Sequence, residues 1–518
     1  MFHKFHILLR LCIGILLLPL LAACSDSDGG VPVEYVENPA FRISLRVGDG
    51  SAEGRADGPS EKDGYAGALP NEYKIEDLTL LLYQDENGIN GNDNTVIQYG
   101  FYTHRFSSTV TDSVAPYDTD SVAPYDKVYT SEIVRLEKPI IKGTYHAIAI
   151  CNQGDLTRLI GKTLKEVRDL TSERICIYSS FAPEDYLLFG MSSAKDETIN
   201  VLGTNHWTSD DDTEHGDLIQ ANLHVQRMAA RIDFSPGDNS TPYDKNTNPT
   251  NPSPGGEWND WNTDVTVGTT PYHIGNAYRF PVMNSTSGEF TGDFFYMTSV
   301  TPVNIYNGEE YVLKRVSQYE NTGIVNCLGN ETFNSEGYGN NFVLDPLTTL
   351  KNSANFSTLF TGKYLLPYAD VYAQSENDPL NNTVLQPVKK VASAEGLSYK
   401  ATYKEDTSKE IWYRPMWYTR ENTVLTSSPK QEYATGIIFS GFYAKKQPDD
   451  SYTYTIKTYS YFIRHTDPSN TNSENIPMKY GIVRNCNYRL YIRQVNSLGL
   501  ILVEVKDWTP VNVPDIQV

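Results

Sequence analysis

Stretches in which apolar and polar residues alternate recur along the whole chain. In Ala40–Val47 every second residue is apolar and the residues between them are mostly polar, which is typical of a strand buried on one face. The apolar residues on its inner face are Phe41, Ile43, Leu45 and Val47. Further strand-like runs are Ile75–Tyr83, Lys142–Asn152, Leu223–Phe234, Tyr311–Val316, Gly436–Ala444, Tyr452–Arg464, Met478–Val495 and Gly499–Trp508. Because turn-forming clusters separate these runs, the sequence predicts a mainly β fold built from β-sandwich domains.

The charge and length of the chain indicate which partners and how many domains to expect. The chain has 518 residues, with 43 Lys and Arg against 64 Asp and Glu, and a formal net charge of −21. Because phosphate binding needs clustered basic residues, this balance argues against a nucleic-acid partner. The length suits two or three domains, and 39% hydrophobic residues suffice to build their cores.

The first 24 residues form an export signal. Two basic residues, Lys4 and Arg10, accompany the apolar run Leu11–Leu21, which is too short to cross a bilayer as a helix. The run ends in small residues before a cysteine and resembles the lipobox of bacterial lipoproteins. That resemblance implies cleavage between Ala23 and Cys24 and acylation of Cys24, which would anchor the precursor in the outer membrane. The alternative is an ordinary secretory signal.

An acidic stretch, Ser25–Asp28, follows the cysteine. It resembles the surface-export signal of Bacteroidales lipoproteins. A solvated tether is the alternative, since a tether needs only polar residues.

A polar, glycine-rich segment follows the first long strand. It runs from Gly48 to Gly67 and contains Arg55 between Gly54 and Ala56. Segments of this kind are the ones that proteases cut. Arg55 is therefore the predicted cleavage site, and the runner-up, Arg46, should be protected because it lies inside the strand.

The sequence carries no recognisable catalytic motif, and no enzyme activity, cofactor or metal is predicted. The serine-hydrolase elbow, the zinc-protease helix and the glycine-rich nucleotide-binding motifs are all absent. Paired glycosidase carboxylates need not be adjacent in sequence, so a surface glycan hydrolase stays open as an alternative. The cysteines of the exported chain lack metal-ligand spacing and are expected to be buried free thiols, with disulfides left open. They are Cys151, Cys176, Cys327 and Cys486.

Four further segments are each expected to be an ordinary structural element. Asp85–Asn94 departs from calcium-loop spacing and is predicted to be a hairpin turn. Asp210–Asp217, with His215, is expected to be a solvated loop. Asp155–Leu170 has helical spacing and predicts a short amphipathic helix. Ile411–Tyr418 is expected to be a strand with packed aromatic residues, although Trp412, Tyr413, Trp417 and Tyr418 could instead line a carbohydrate site.

An eight-residue sequence is repeated in tandem at Thr111–Asp118 and Thr119–Asp126. Two short copies do not make a repeat fold, so a loop duplication is the expected origin. Each copy contains an Asp-Ser-Val triplet that is similar to the O-glycosylation pattern of Bacteroidales secreted proteins. Ser113 and Ser121 are the candidate acceptors.

In their order along the chain, these features resemble the Bacteroidales fimbrillins. Val225–Phe234 is similar to the family's R-x-x-A-R-I-D-F strand. Tyr461–His465 together with Met478–Tyr488 is similar to its I-R-H and V-R-N-x-x-Y block, which looks closest to the major subunit of the minor, short fimbriae. Trp508 resembles the terminal D-W strand. The resemblance implies two transthyretin-like, Greek-key β-domains in an acylated precursor.

The resemblance also implies assembly by strand exchange. An Arg-specific protease would cut the loop after the first strand, which would then leave its groove. A neighbouring subunit would fill that groove with its C-terminal tail, so that subunits chain into a cell-surface fimbria. The apolar residues of the candidate donor tail are Val511, Val513, Ile516 and Val518.

The predicted organisation has five parts and leaves two other functions open. The parts are a signal peptide (1–23), a tether with first strand and propeptide (24–55), an N-terminal domain (56–236), a linker or long loop (237–264) and a C-terminal domain with the donor tail (265–518). A tip or accessory adhesin that binds host protein or glycan is the first alternative. A surface lipoprotein that binds or hydrolyses glycan is the second.

Overall fold

The fold is mainly β, with two large sheets that each have a hydrophobic core, as the sequence predicts. Among the described residues, no helix has the length and apolar character needed to cross a bilayer. The computed structural model describes residues 33–47, 75–108, 128–172, 189–205, 207–210, 213–235, 257–304, 309–318, 325–327, 341–346, 348, 399–402, 410–413, 416–423, 434–463, 480–497 and 501–506.

The first sheet contains ten strands. Its central path runs β4-β3-β9-β11-β15-β2-β6-β5, with β12 added to β9 and β7 to β2. Small pairs join β1 to β8 and β13 to β14. The strands of the first half are β1 (Tyr35–Val36), β2 (Ala40–Val47), β3 (Leu78–Tyr83), β4 (Tyr99–Thr103), β5 (Phe106–Ser108), β6 (Val128–Ser131), β7 (Val134–Arg135), β8 (Ile140–Ile141), β9 (Gly143–Cys151), β10 (Thr171–Ser172), β11 (Met191–Ser193), β12 (Glu197–Val201), β13 (Trp207–Asp210), β14 (Thr213–Gly216) and β15 (Ile219–Arg227).

The second sheet contains nine strands. Its path runs β26-β16-β29-β18-β19-β27-β28, with β17 added to β18 and β30 to β29. Small sheets join β21 to both β22 and β23, and β24 to β25. The strands of the second half are β16 (Ala230–Ser235), β17 (Glu257–Val267), β18 (Thr270–Met283), β19 (Phe290–Val303), β20 (Glu310–Tyr311), β21 (Arg315–Gln318), β22 (Val325–Cys327), β23 (Asn341–Val343), β24 (Tyr399–Thr402), β25 (Glu410–Tyr413), β26 (Met416–Thr419), β27 (Gly436–Lys446), β28 (Tyr452–Phe462), β29 (Asn487–Asn496) and β30 (Ile501–Lys506).

The change from one sheet to the other differs from the predicted linker at 237–264. β15 belongs to the first sheet and β16 to the second, so the change occurs at Met228 and Ala229. β17 overlaps the predicted linker and is a long strand of the second sheet. The composition of 257–264 resembles a loop, but these residues form a strand because β17 pairs with β18.

One segment of the second half belongs to the first core. β20 pairs with β10, and Val312 and Leu313 are buried in the same cluster as β2 and β9. Arg315 adds an ion pair to Asp169 at 2.8 Å. Residues 310–315, which the sequence assigns to the C-terminal domain, therefore pack against the predicted N-terminal domain. We call this segment the clip.

The predicted helix over Asp155–Leu170 is interrupted. A 3-10 turn at Thr157–Leu159 is followed by a break, and the helix α1 (Leu164–Arg168) starts afterwards. Gly161 breaks the pattern with a φ of +82°, which favours glycine. Thr163 and Glu166 then form a capping box that restarts the helix.

The predicted hairpin turn at Asp85–Asn94 connects β3 with its antiparallel partner β4 and contains a 3-10 turn at Gly88–Asn90. The Asp85 carboxylate accepts hydrogen bonds from the backbone N–H groups of Asn87 (2.8 Å) and Asn92 (3.0 Å), and from the Thr95 hydroxyl. The Asp85 carboxylate thus holds the two ends of the loop together.

Candidate functional site

The strand predicted to leave the protein lies inside the first sheet. On one side β2 runs parallel to β15, in register from Phe41 opposite Ile219 to Val47 opposite Val225. On the other side β2 pairs antiparallel with β6 and β7. β2 therefore has hydrogen-bonded neighbours along both edges, so that its removal would leave a slot in the sheet.

The apolar face of β2 is part of the first core. Phe41, Ile43 and Leu45 have no exposed surface and Val47 is 5% exposed. The Phe41 ring packs against Phe101, with 5.2 Å between the ring centroids. These four side chains fill the inner side of the slot, which we call the β2 groove.

A bulge fixes how β2 sits against β6 and β7. From Phe41 to Ser44 β2 advances three residues, whereas the opposite segment advances four, from Thr130 to Val134. An extra residue on one strand breaks the regular ladder of hydrogen bonds. The Ser131 hydroxyl fills this gap, because it accepts the hydrogen bond of the Ile43 N–H at 3.1 Å in a buried position.

The two candidate cleavage residues differ in their surroundings. Arg46 has an exposed side chain, but it lies within β2 opposite His224 on one side and Val128 on the other. Backbone held in a sheet on both sides resists a protease, which needs an unpaired extended segment. Arg55 belongs to residues 48–74 between β2 and β3, which fall outside the described residues.

Several other predicted site residues fall outside the described part of the chain. They are Ala23 and Cys24 of the signal, Ser113 and Ser121 of the tandem repeat, Cys176, and Val511, Val513, Ile516 and Val518 of the candidate tail. Their roles stay predictions. Cys151 is a buried free thiol in β9, and Cys486 is half-buried next to β29.

At two of the alternative sites the secondary structure differs from the prediction. Trp412 and Tyr413 lie in β25, whereas Trp417 and Tyr418 lie in β26 of the second sheet. The predicted single strand over Ile411–Tyr418 is thus two strands in different sheets. The predicted solvated loop at Asp210–Asp217 is also largely a hairpin, in which His215 of β14 lies opposite Thr208 of β13.

The described residues contain no cluster of three or more His, Cys, Asp or Glu side chains placed to hold a metal ion.

The two sequence blocks that resemble the fimbrillins meet where the sheets join. The guanidinium of Arg227 donates to the side-chain oxygen of Asn485 at 3.0 Å, and the Asn485 N–H donates to the Ala229 carbonyl at 2.8 Å. Next to them Arg484 is fully buried between Glu310 (3.0 Å) and Glu421 (2.7 Å). We call these three side chains the joint triad.

The joint triad ties the second sheet to the clip that enters the first core. Arg484 also donates to the backbone carbonyls of Tyr311 and Val312, at 2.7 and 3.0 Å. Burial raises the pKa of Glu310 well above its usual range, an effect that Arg484 opposes. Burial alone would lower the pKa of Arg484, but Glu421 and Glu310 outweigh it and hold the guanidinium charged. Sequence reasoning missed both glutamates.

Comparison with protein families gives a match near the C-terminus of the sequence. Residues 450–516 match the family model described as major fimbrial subunit protein type IV, fimbrillin, C-terminal. This region begins just before β28 and includes β29 and β30. No curated protein matches the chain by sequence.

Solved structures of low sequence identity also align with the chain. One is a fimbrial assembly protein from Parabacteroides distasonis, at 9% identity and a TM-score of 0.34, covering 92% of this chain and 97% of that chain. Another is the tip fimbrial protein Mfa3 from Porphyromonas gingivalis, at 9% identity and a TM-score of 0.31, covering 91% of this chain and 100% of that chain. The family match over residues 450–516 confirms the predicted resemblance of this part of the chain to the fimbrillins.

Proposed function

We propose that this chain is a fimbrillin that serves as a structural shaft subunit of a cell-surface fimbria rather than as an enzyme. Its acylated precursor is cut after Arg55 and polymerises when the tail of another subunit enters the β2 groove. The observation that carries the proposal is the position of β2: an interior strand with a fully buried apolar face, directly before the segment that contains Arg55.

The energetics of the groove support exchange over simple loss of the strand. Removing β2 would uncover the sites of Phe41, Ile43, Leu45 and Val47. At about 1.5–3 kcal/mol for each buried side chain, the uncovered surface is worth roughly 6–12 kcal/mol, as an upper bound. The edges of β15 and β6 would also lose their partner. An apolar slot with two open edges favours the entry of another strand.

The C-terminal tail has the composition of a donor but a different spacing. The groove takes side chains at every second residue, whereas the tail offers Val511 and Val513, then Ile516 and Val518. All four tail residues can face the pockets only if one extra residue is accommodated between Val513 and Ile516. Pro514 lies between these two residues, and an extra residue in a strand forms a bulge, where proline is tolerated.

Exchange of this kind produces filaments. The groove and the tail are different surfaces of the same chain, so each contact is heterologous and repeats without closing. The acidic surface of the protein suits a solvated fibre. The partners of the chain are then further fimbrial subunits, with the protease and the outer membrane involved only during maturation.

The cleavage step is tested by Arg55→Ala, with Arg46→Ala as the matched control. N-terminal sequencing of assembled material from the parent should begin at Ala56. Arg55→Ala should accumulate a precursor that begins at Cys24, whereas Arg46→Ala should behave like the parent. Parent fibres that begin at Cys24 would contradict cleavage.

The donor role is tested by charges placed in the tail. Val513→Asp with Ile516→Asp should abolish filaments in electron micrographs, because a carboxylate cannot enter an apolar pocket without a large desolvation cost. Asn512→Asp with Gln517→Asp adds the same charge at positions that do not need a pocket, and should preserve filaments. Normal filaments from both variants would favour the tip or accessory role instead.

A further inference from the structure

The most exposed large apolar side chains of the described residues gather at one end of the first sheet. Val33 is 57% exposed, Tyr35 56% and Leu202 53%, more than any other large hydrophobic residue that the structure describes. Isolated exposed apolar residues are ordinary, but a group of them marks an interaction surface. We call these three residues the anchor-end patch.

Register places the members of the patch on both sides of one short segment. Tyr35 lies opposite Ile141 in the β1–β8 pair, and Val201, next to Leu202, lies opposite Gly143 in the β12–β9 pair. Between them Lys142 forms a 2.6 Å ion pair with Glu34. The patch is therefore a small apolar area around a single ion pair.

The patch lies at the end of the sheet where β2 begins. β2 and β15 are parallel, β15 is antiparallel to β11, and β11 is antiparallel to β9, so β2 and β9 run in the same direction. Gly143 is the first residue of β9 and Ala40 the first of β2. At about 3.3 Å per residue, Val47 lies roughly 23 Å further along the sheet.

The precursor's lipid anchor is within reach of the same end. Val33 is the ninth residue after Cys24. Nine residues of extended chain span at most about 30 Å, so the patch is tethered near the membrane surface if Cys24 is acylated. Tyrosine suits this position, because its ring and hydroxyl together favour the interface between hydrocarbon and water.

The patch is also specific to the precursor. Val33 and Tyr35 precede Arg55, so cleavage there removes two of its three members together with β2. A surface that is dismantled before assembly cannot serve contacts within the finished fibre. An interaction at this surface would have to take place before cleavage, and the membrane that holds the anchor is present at that stage.

We infer that the anchor-end patch rests on the lipid surface in the precursor, an inference that depends on the acylation of Cys24 in the proposed function. The contact orients the first sheet with the start of β2 toward the membrane and Val47 away from it. β2 then ends on the side away from the membrane, and Arg55 is the eighth residue after Val47 in the sequence.

The test uses the full-length precursor in vesicles of phosphatidylethanolamine and phosphatidylglycerol that contain a nitroxide-labelled lipid. Leu202→Cys carries an environment-sensitive fluorophore, and Phe290→Cys, in the second sheet and 40% exposed, is the matched control. The parent chain measures background labelling of its own thiols. Quenching at position 202 should exceed that at position 290 by at least about twofold, as expected for a side chain at the acyl boundary.

A second variant tests the patch itself. Tyr35→Asp should reduce quenching of the label at position 202, while Tyr35→Phe should preserve it. Equal quenching at positions 202 and 290 in a precursor whose intact mass includes acyl chains would overturn the inference and leave the anchor in place. A precursor without acyl chains would overturn the anchor and the inference with it. Cleavage after Arg55 should abolish quenching at position 202.

Discussion

Arg484 donates a hydrogen bond to Glu421 at 2.7 Å, and neither side chain has any exposed surface. Glu310 lies on the same guanidinium and belongs to the clip that enters the first core. The two large sheets are thus joined by buried charge as well as by the continuous chain from β15 to β16. In the proposed fibre, such a joint would transmit force between the two halves of a subunit.

Arg484→Met should destabilise the protein strongly. The substitution leaves the buried Glu421 and Glu310 side chains without the guanidinium, and breaking a buried pair in this way costs about 3–5 kcal/mol. The midpoint of urea unfolding should fall accordingly. The matched control is Arg105→Met, because Arg105 and Glu132 are 3.5 Å apart and more than 60% exposed. Its cost should not exceed about 1 kcal/mol. Equal costs for the two variants would contradict the role of the joint triad.

Glu310→Gln should weaken the pH dependence of stability. The folded protein raises the pKa of Glu310 above its ordinary 4.5, so the folded state keeps a proton that the unfolded state releases. The free energy of unfolding contributed by this group therefore decreases as pH rises above that value. As pH rises above 4.5, the parent should lose more stability than Glu310→Gln. An identical loss in both proteins would show that Glu310 does not titrate in the folded state as described.

Two strands of the first sheet were predictable from local sequence. Ala40–Val47 forms a strand with the bounds that its pattern gives, and Lys142–Asn152 differs from β9 by one residue at each end. The first prediction depends on a period of two that the sequence displays directly, and the second depends on a largely apolar run. The displaced-strand hypothesis could therefore be stated without a structure, although the bulge opposite Ile43 could not.

The joint between the sheets was not predictable. Glu310 is 174 residues from Arg484 and Glu421 is 63 residues away, so no local pattern connects them. β17 was missed for a related reason, since its polar, Asn- and Asp-containing sequence favours a loop until β18 pairs with it. Long-range pairing overrides local propensity in both cases.

Leu45→Ala should destabilise the precursor but not the processed chain. Leu45 is fully buried, and truncating a buried leucine to alanine costs about 2–5 kcal/mol. Once β2 has left, position 45 no longer contributes to the fold. Thermal unfolding before and after cleavage separates the two states, with the exposed Arg42→Ala as control. A processed chain that still senses Leu45→Ala would mean that β2 stays in its groove.

Ser131→Ala should weaken both the precursor and the fibre. In the precursor the Ile43 N–H would lose its acceptor at a buried position, which costs about 1–3 kcal/mol. Ser287 offers a matched control, because its hydroxyl accepts the Glu289 N–H at 3.3 Å on the exposed surface. Ser287→Ala should stay within about 0.5 kcal/mol of the parent in urea unfolding.

Ser131→Ala also tests the strand that is proposed to replace β2. The bulge of β6 and β7 belongs to the groove and stays when β2 leaves. The Ser131 hydroxyl could then accept a hydrogen bond from a backbone N–H of the strand that enters. A donor that presents an amide there would lose a hydrogen bond in Ser131→Ala fibres, which should dissociate at lower denaturant concentration than parent fibres. If Ser131→Ala destabilises the precursor but leaves the denaturant concentration of fibre dissociation unchanged, the donor strand has no N–H opposite Ser131. Pro514, which has no N–H, would then be the tail residue to place opposite Ser131.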